Sequence, residues 1–311
     1  MSFTRDVKEE LCERVHEKNC CALAELYGVF LFSNRFIPDE IKIVTESRSF
    51  TQRVAGLLKL VFGFDFDLTV SSENLRDKNI LVISDTDKLK TIFSAFGRSM
   101  DGELSIHLNL GVFEEECCYR AFLRGAFLSG GSVMNPEKKY HLEITTPHSS
   151  LSRETCAVIR DIDLIPKISV RKANYVIYFK ASEAIEDFLS MTGAQLSAIK
   201  LMETKVEKDF RNRINRNVNC ETANLTKTVD ASREQCIAVE KIKAHTGLDK
   251  LPEKLKQAAE LRLKSPEASL AELAKMMYPP VGKSGINHRM RKLIEISEAI
   301  DAVSPKGEKK G

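Results

Sequence analysis

A short basic segment near the C-terminus is the part of the sequence best suited to binding a polyanion. Every charged side chain between Lys283 and Lys292 is basic. Guanidinium and ammonium groups bind phosphates, and Arg or Asn can also hydrogen-bond base edges in the major groove. The segment therefore predicts contact with double-stranded DNA, and Asn287 is a candidate adenine reader. The full candidate set is Ser269, Lys283, Ser284, Gly285, Asn287, His288, Arg289, Arg291 and Lys292.

Apolar spacing around this segment predicts that it is the recognition helix of a helix-turn-helix. At about 100° per residue, one face collects Ile286, Met290, Leu293 and Ile294. His288 and Lys292 fall almost opposite that face, and Ser284 is the expected helix cap. A basic amphipathic helix could also bind a membrane surface or an acidic partner. The shortness of this one, and the helices predicted before it, favour DNA.

Two shorter helices are predicted upstream. The first opens at Leu251-Pro252, and a capping box, Ser269-Leu270-Ala271-Glu272, opens the second. Pro279-Pro280 is expected to stop the second helix. The turn from Tyr278 to Lys283 exceeds the 3–4 residues usual in the simplest motif, so a variant geometry is expected.

The distribution of charge agrees with this assignment. Residues 250–311 contain 13 Lys or Arg and 8 Asp or Glu, a balance of +5, whereas the whole chain carries +3. The remainder is therefore close to −2, and the positive charge is concentrated at the C-terminus.

The eight cysteines offer the other donor set, as single residues (Cys12, Cys156, Cys220, Cys236) and as two adjacent pairs (Cys20-Cys21, Cys117-Cys118). No CxxC spacing occurs, and neighbouring cysteines on a helix point in different directions. The six histidines form no ligand spacing either. The sequence therefore predicts no metal and no cofactor, with the thiols as small buried side chains in a reducing compartment.

Length and hydropathy bound the class of protein. A chain of 311 residues predicts two domains. Its first residues are charged and contain no signal-peptide core, and the run Leu26 to Phe32 is far too short to cross a bilayer. These features predict a cytoplasmic protein that does not bind a membrane.

An internal repeat organises the first two-thirds of the chain. Cys20–Leu31 and Cys117–Leu128 align with seven identities in twelve positions. Gly28 and Gly125 occupy the same place in the two opening helices. A glycine in mid-helix costs about 1 kcal/mol relative to alanine. Its presence in both copies therefore predicts close helix–helix packing at a pseudo-twofold axis.

The segments that follow also correspond between the copies. The first copy has strand patterns at 41–45, 67–71 and 79–83 and helical patterns at 50–62 and 86–96. The second has strand patterns at 142–146, 167–171 and 175–179 and helical patterns at 151–162 and 182–191. Each copy is also expected to contain a less clear strand, which pairs with its first strand. The predicted unit is therefore α-β-β-α-β-β-α. The prediction is an α+β fold in which this unit occurs twice and its strands form antiparallel sheets.

The opening helices resemble a known signature. Leu123 to Gly131 resembles the nine-residue signature of the LAGLIDADG homing endonucleases, and Leu26 to Asn34 resembles a worn copy. In that family an acidic residue at the eighth position holds the catalytic metals, but this chain has Ser33 and Gly130 there. The nearest acids beyond the helix ends are Asp39 and Glu137. The resemblance thus implies the fold, and the missing carboxylates predict that nuclease activity is lost and that the chain is not an enzyme.

A polar, helix-rich linker follows between about residues 200 and 250. Its alternating guanidinium and amide groups are candidates for further DNA contact: Arg211, Arg213, Asn215 and Arg216. The stretch Asn217 to Val229 strongly resembles the linker of the WhiA family of bacterial regulators, and that resemblance runs nearly from end to end.

This resemblance implies a degenerate LAGLIDADG-like domain at 1–200, a basic helical linker at 201–250, a helix-turn-helix domain at 251–303 and a disordered tail at 304–311. It implies transcription control, cell division or chromosome segregation, and sporulation where that occurs, at the nucleoid. Another transcription or cell-division protein would be a further partner. Two alternatives stay open: an active homing endonuclease, and an interaction platform that binds DNA only through its C-terminus.

Overall fold

The computed structural model describes residues 2–15, 18–64, 67–71, 78–100 and 105–303, with the backbone alone at 67–71 and 301–303. The chain divides into two compact units, Met1–Asp209 and Phe210–Gly311. The tail predicted at 304–311 lies outside the described residues.

The first unit contains the predicted repeat. Helix α1 (Phe3–Glu13) precedes it. The first copy comprises α2 (Asn19–Leu31), β1 (Arg35–Ile37), β2 (Glu40–Thr45), α3 (Arg48–Phe62), β3 (Asp67–Ser71), β4 (Lys78–Ile83) and α4 (Thr86–Ala95). After a 3-10 turn at Leu110–Val112, the second copy comprises α5 (Glu116–Gly130), β5 (Gly131–Val133), β6 (Leu142–Thr146), α6 (Ser149–Asp161), β7 (Lys167–Arg171), β8 (Asn174–Phe179) and α7 (Ser182–Thr192). The predicted α+β class and duplicated unit are confirmed.

Each copy forms one four-stranded antiparallel sheet. The strand orders, β1-β2-β4-β3 and β5-β6-β8-β7, are equivalent. The register is equivalent too, because Ile41 pairs with Ile83 in the first sheet and Leu142 with Phe179 in the second. Alternate residues of β2 and β6 are buried, as expected when one face of a sheet packs against helices.

Helices α2 and α5 form the centre of this unit and pack directly against each other. Every residue from Ala24 to Leu31, and every residue from Ala121 to Leu128, is buried. A Cβ atom on Gly28 would lie 2.2 Å from the carbonyl oxygen of Phe122, and one on Gly125 would lie 2.0 Å from that of Glu25. Only glycine therefore allows the two backbones to approach this closely.

A charged network is buried in the same helix pair. Glu25 of α2 is fully buried and contacts two guanidinium groups: Arg53 Nη2 donates to Glu25 Oε2 over 2.8 Å, and Arg124 Nη1 donates to the same oxygen over 2.9 Å. Arg124 Nε donates to the carbonyl of Thr192, and Arg53 Nη1 donates to those of Cys12 and Arg14. Burial lowers the pKa of the Arg124 guanidinium, and the Glu25 carboxylate opposes that shift.

The second unit begins within a long helix. Helix α8 (Gln195–His245) has 51 residues, and a 3-10 turn at Leu248–Lys250 follows it. All side chains from 211 to 230 are exposed. The boundary between the two units falls inside α8, between Asp209 and Phe210.

Three further helices complete the second unit: α9 (Glu253–Lys264), α10 (Leu270–Met276) and α11 (Lys283–Val303). They pack with the end of α8 around an apolar cluster of Val239, Ile242, Leu255, Ala258, Ala259, Leu273, Ala274, Met277, Ile286, Met290 and Leu293. The predicted capping box at Ser269 and Glu272 is present at the start of α10.

One local expectation about these helices was wrong. Ser284 does not cap α11, because the helix already begins at Lys283 and Ile286 N–H donates to the carbonyl of Gly282. Helix α10 ends at Met276, and Pro279-Pro280 follow its C-cap Met277 in the turn, as expected of prolines that end a helix.

Candidate nucleic-acid interface

The first half of α11 presents an exposed surface whose charged residues are all basic. Ile286, Met290 and Leu293 are at most 1% exposed and fix the inner face of the helix. On the outer side Lys283, Ser284, His288, Arg291 and Lys292 are exposed, while Gly285, Asn287 and Arg289 are half-buried at the flanks. The first acidic residue of the helix is Glu295. The predicted candidates on α11 thus share one continuous surface.

The charges of this surface are available to a partner. Among the residues that the structure describes, Lys283, Arg289, Arg291 and Lys292 form no ion pair within the chain. Recognition helices of helix-turn-helix proteins contact base edges with residues of their N-terminal part. The geometry places cationic and amide donors in that part of α11.

Ser269, one of the DNA-contact candidates, also forms the predicted capping box of α10. Its hydroxyl oxygen accepts a hydrogen bond from Glu272 N–H over 3.3 Å, and the Glu272 carboxylate accepts one from Ser269 N–H over 2.8 Å. These hydrogen bonds, above all to Ser269 N–H, lower the pKa of Glu272. Ser269 therefore holds the start of α10 in place beside a groove.

That groove, about 550 Å³ in volume, lies between α8 and the starts of α10 and α11. Lys227 and Lys283 line it, and so does Arg262 at its floor. Arg262 is 1% exposed, and its Nη1 donates to the carbonyl of Ala268 over 2.6 Å and to the hydroxyl of Ser232 over 3.2 Å. The groove is thus basic, and hydrogen bonds hold Arg262 in place at its floor.

Sequence reasoning missed two exposed residues of this unit. Tyr278 is 86% exposed in the turn before α11, and Lys227 projects from α8 into the groove. In the sequence, an aromatic residue next to two prolines suggests a core residue or a helix end. Only the exposure of Tyr278 in the structure makes it a surface candidate.

The candidates of the linker lie on the exposed part of α8. Arg211, Arg213, Asn215 and Arg216 are all exposed. The two basic residues before them are engaged within the first unit, since Lys205 pairs with Glu183 and Lys208 donates to the carbonyl of Pro136. Only the later part of the basic run is therefore open to solvent.

The C-terminal ends of α2 and α5 correspond to the metal-binding end of the signature helices. The Ser33 hydroxyl donates to the carbonyl of Phe30 over 2.7 Å and lies 3.0 Å from that of Arg35. A Cβ on Gly130 would lie 2.8 Å from the carbonyl oxygen of Thr145. No carboxylate stands at either position, and the second position leaves no room for one.

A cation lies close to these helix ends. Lys8 Nζ donates to the carbonyl of Leu128 over 2.9 Å, and burial lowers the Lys8 pKa to about 8. Lys8 and Arg5 line a groove of about 400 Å³ together with Asn34, Glu46 and Ser129. Two basic side chains beside one exposed carboxylate make a poor site for a divalent cation.

Asp39 and Glu137 do not replace the missing acids. Both are exposed in the turns that follow β1 and β5. A three-residue strand spans about 10 Å, so each carboxylate is displaced from its helix end by roughly that length.

No helix in the described ranges is long and apolar enough to cross a membrane.

Comparison with known proteins places both units. The family described as WhiA LAGLIDADG-like domain matches residues 119–211, and the WhiA C-terminal HTH domain matches residues 214–297. The probable cell division protein WhiA of Ruminiclostridium cellulolyticum is 40% identical over 308 residues, covering 96% of this chain and 98% of that protein. Its counterpart in Clostridium botulinum strain Hall is 39% identical over 313 residues, covering 96% and 99%.

A solved structure agrees along the whole chain. The full-length DUF199/WhiA of Thermotoga maritima has 26% sequence identity and a TM-score of 0.59, covering 96% of this chain and 99% of that one. This chain and that structure thus share the order of a duplicated α+β domain, a long helix and a C-terminal helix-turn-helix domain. The chain belongs to the WhiA family.

Proposed function

We propose that this protein is a sequence-specific DNA-binding regulator and that α11 enters the major groove. The observation that carries the proposal is the exposed, wholly basic first half of α11, held on a packed helical core. Lys283, His288, Arg291 and Lys292 would contact phosphates or base edges, and Asn287 would read adenine. Arg211, Arg213, Asn215 and Arg216 would add backbone contacts from α8.

The relatives support a proposal for the cellular role. Those at about 40% identity are named probable cell division proteins. We extend that role to this chain, as transcription control connected with cell division or chromosome segregation at the nucleoid, and with sporulation where it occurs. Another transcription or cell-division protein is the further partner, with the first unit as its docking surface or as a second DNA contact.

The first prediction concerns base reading by Asn287. Asn287→Ala is expected to weaken binding to the preferred site by about 1–3 kcal/mol, roughly 5- to 150-fold. The salt dependence should not change, because an amide neutralises no phosphate. The measurement is fluorescence anisotropy on a duplex selected with the full-length protein from genomic fragments, at several salt concentrations.

Glu295→Ala is the matched control, because Glu295 is exposed on the same helix but lies beyond its basic half. It should retain the preference for the selected duplex over a scrambled one. An Asn287→Ala protein that keeps the full preference would remove Asn287 from base reading, and an absence of any preferred duplex would overturn sequence-specific binding.

We also propose that the first unit has no nuclease activity. The support is local: Ser33 and Gly130 at the helix ends, no room for a side chain at Gly130, and Lys8 hydrogen-bonded to the end of α5. A magnesium site for phosphodiester hydrolysis is built on carboxylate oxygens, and at these positions the chain offers a hydroxyl, a backbone and an ammonium group.

The second prediction tests that point. The purified protein is expected to leave supercoiled plasmid and selected duplex intact with magnesium or manganese, because Ser33 and Gly130 replace the carboxylates that hold the metals in the signature family. Gel analysis over many hours is the measurement. Metal-dependent cleavage that Asp39→Asn or Glu137→Gln abolishes would restore the endonuclease alternative. Cleavage that neither variant changes would point to a contaminant.

A further inference from the structure

Four cysteine thiols meet where helices α2 and α5 begin. The Sγ atoms of Cys20, Cys21, Cys117 and Cys118 all lie within 4.8 Å of one another. Adjacent cysteines were expected to point apart, and that expectation was wrong. Each pair sits in the first turn of its helix and faces the other pair.

The distances suit a tetrahedral ion. A Zn–S bond of about 2.3 Å implies sulfur–sulfur separations of about 3.8 Å around a tetrahedron. The observed upper limit of 4.8 Å exceeds that value by about one ångström. Rotation of the cysteine side chains, three of them only half-buried, can close such a gap without moving the helices.

Basic groups and helix N-termini lie beside the thiols. Both helices begin without a side-chain cap, so the N-terminal partial charges of two helices are directed at the thiols. A cavity of about 210 Å³ adjoins Cys21 and Cys117, and four basic residues line it: Arg14, Lys18, Arg120 and Arg124. Lys18 is paired with Glu115 and Arg124 with Glu25, so Arg14 and Arg120 would chiefly offset the net charge of −2 on an ion with four thiolates.

We infer that these four cysteines bind one zinc-class ion in a closed tetrahedral thiolate site that joins the two copies of the repeat. Thiolates select soft or borderline ions, and four protein ligands leave no open position for catalysis. The site lies at the opposite end of α2 and α5 from the metal position of the signature, and it does not depend on DNA binding.

The experiment measures metal in the full-length protein. Protein purified without chelators and under reducing conditions is expected to contain one zinc per chain by elemental analysis. After removal of zinc, cobalt(II) should produce the visible bands and the near-ultraviolet charge-transfer band of a tetrahedral thiolate site. Zinc should displace the cobalt. Bound zinc should protect four of the eight thiols from alkylation.

The variants separate ligands from other thiols. Cys20→Ser and Cys118→Ser are each expected to weaken zinc binding at least about 100-fold, more than the loss of an outer-shell partner. Cys156→Ser is the matched control, because Cys156 is a buried thiol outside the cluster. It should keep full stoichiometry. Circular dichroism will show whether each variant is folded. The cobalt spectrum of wild-type protein tests the site without any substitution.

Three results would overturn the inference. Wild-type protein could fail to bind zinc or cobalt with thiolate bands. It could contain iron and sulfide instead. Peptide mapping under native conditions could show disulfides between the pairs that form without any metal. Binding that survives both cluster variants would place the ion elsewhere and would equally refute the site.

Discussion

Glu25→Ala is expected to lower the free energy of unfolding of the first unit by about 3–5 kcal/mol. The carboxylate is fully buried and accepts hydrogen bonds from Arg53 and Arg124, which are 8% and 6% exposed. Its removal takes away the carboxylate that neutralises two buried guanidinium groups. Their backbone partners at Cys12, Arg14 and Thr192 satisfy some N–H groups but cannot neutralise the charge.

Chemical denaturation followed by fluorescence of the tyrosines and by circular dichroism provides the measurement. Glu9→Ala is the control, since Glu9 forms an exposed i,i+4 pair with Arg5, and such pairs contribute about 0–1 kcal/mol. Glu25→Gln should fall close to Glu25→Ala, because the amide keeps the shape and loses the charge. Equal stabilities of the Glu25→Ala and Glu9→Ala proteins would refute the assigned role of the network.

The second large effect is expected on DNA affinity. Replacing Arg289, Arg291 and Lys292 together by alanine should reduce specific binding at least about 10³-fold, to the level of non-specific binding. These residues supply three of the four Lys and Arg charges in the first half of α11. The salt dependence should also become shallower, by about 0.9 for each phosphate contact that is lost.

A control with the same loss of charge distinguishes local contact from overall electrostatics. Lys59, Arg153 and Arg160 are exposed on helices α3 and α6, and their combined replacement by alanine removes three positive charges from the other unit. That protein should bind the selected duplex nearly as well as wild type. Undiminished binding by the α11 variant would refute the DNA-binding assignment of α11. Equal losses of affinity in both variants would indicate non-specific electrostatic attraction between protein and DNA.

The spacing of apolar residues located the helices and strands that are long enough to contain several periods of it. Strand β6 has the predicted bounds of Leu142–Thr146, and β2 begins one residue earlier than predicted. Strands β1 and β5 have three residues each, too few for an alternation to be visible. The glycine pair was also readable, because a costly residue at equivalent positions needs a packing reason.

The thiol cluster shows where reading one element at a time fails. The direction of a side chain on a single helix says that Cys20 and Cys21 diverge, and it says nothing about a second helix packed against the first. The repeat contained the missing information, because it places Cys117 and Cys118 at positions equivalent to the first pair. In the structure the two helices pack through equivalent glycines, and the thiols of their equivalent first turns also meet.

Exposed turns were the hardest to foresee. The start of α11 at Lys283 and the exposure of Tyr278 depend on how six residues connect two packed helices, and no periodic pattern describes that path. The face of α11 itself was predictable, because burial of Ile286, Met290 and Leu293 fixes which side turns outward.

The close packing of α2 against α5 also has a consequence for synthesis on the ribosome. Gly28 and Gly125 are 97 residues apart in the chain. At roughly 5–20 residues per second, α2 is complete about 5–20 seconds before its partner has been translated. During that interval the apolar face of α2 that packs against α5 has no surface to cover it. The nascent chain should then depend on a holdase chaperone until residue 130 leaves the exit tunnel.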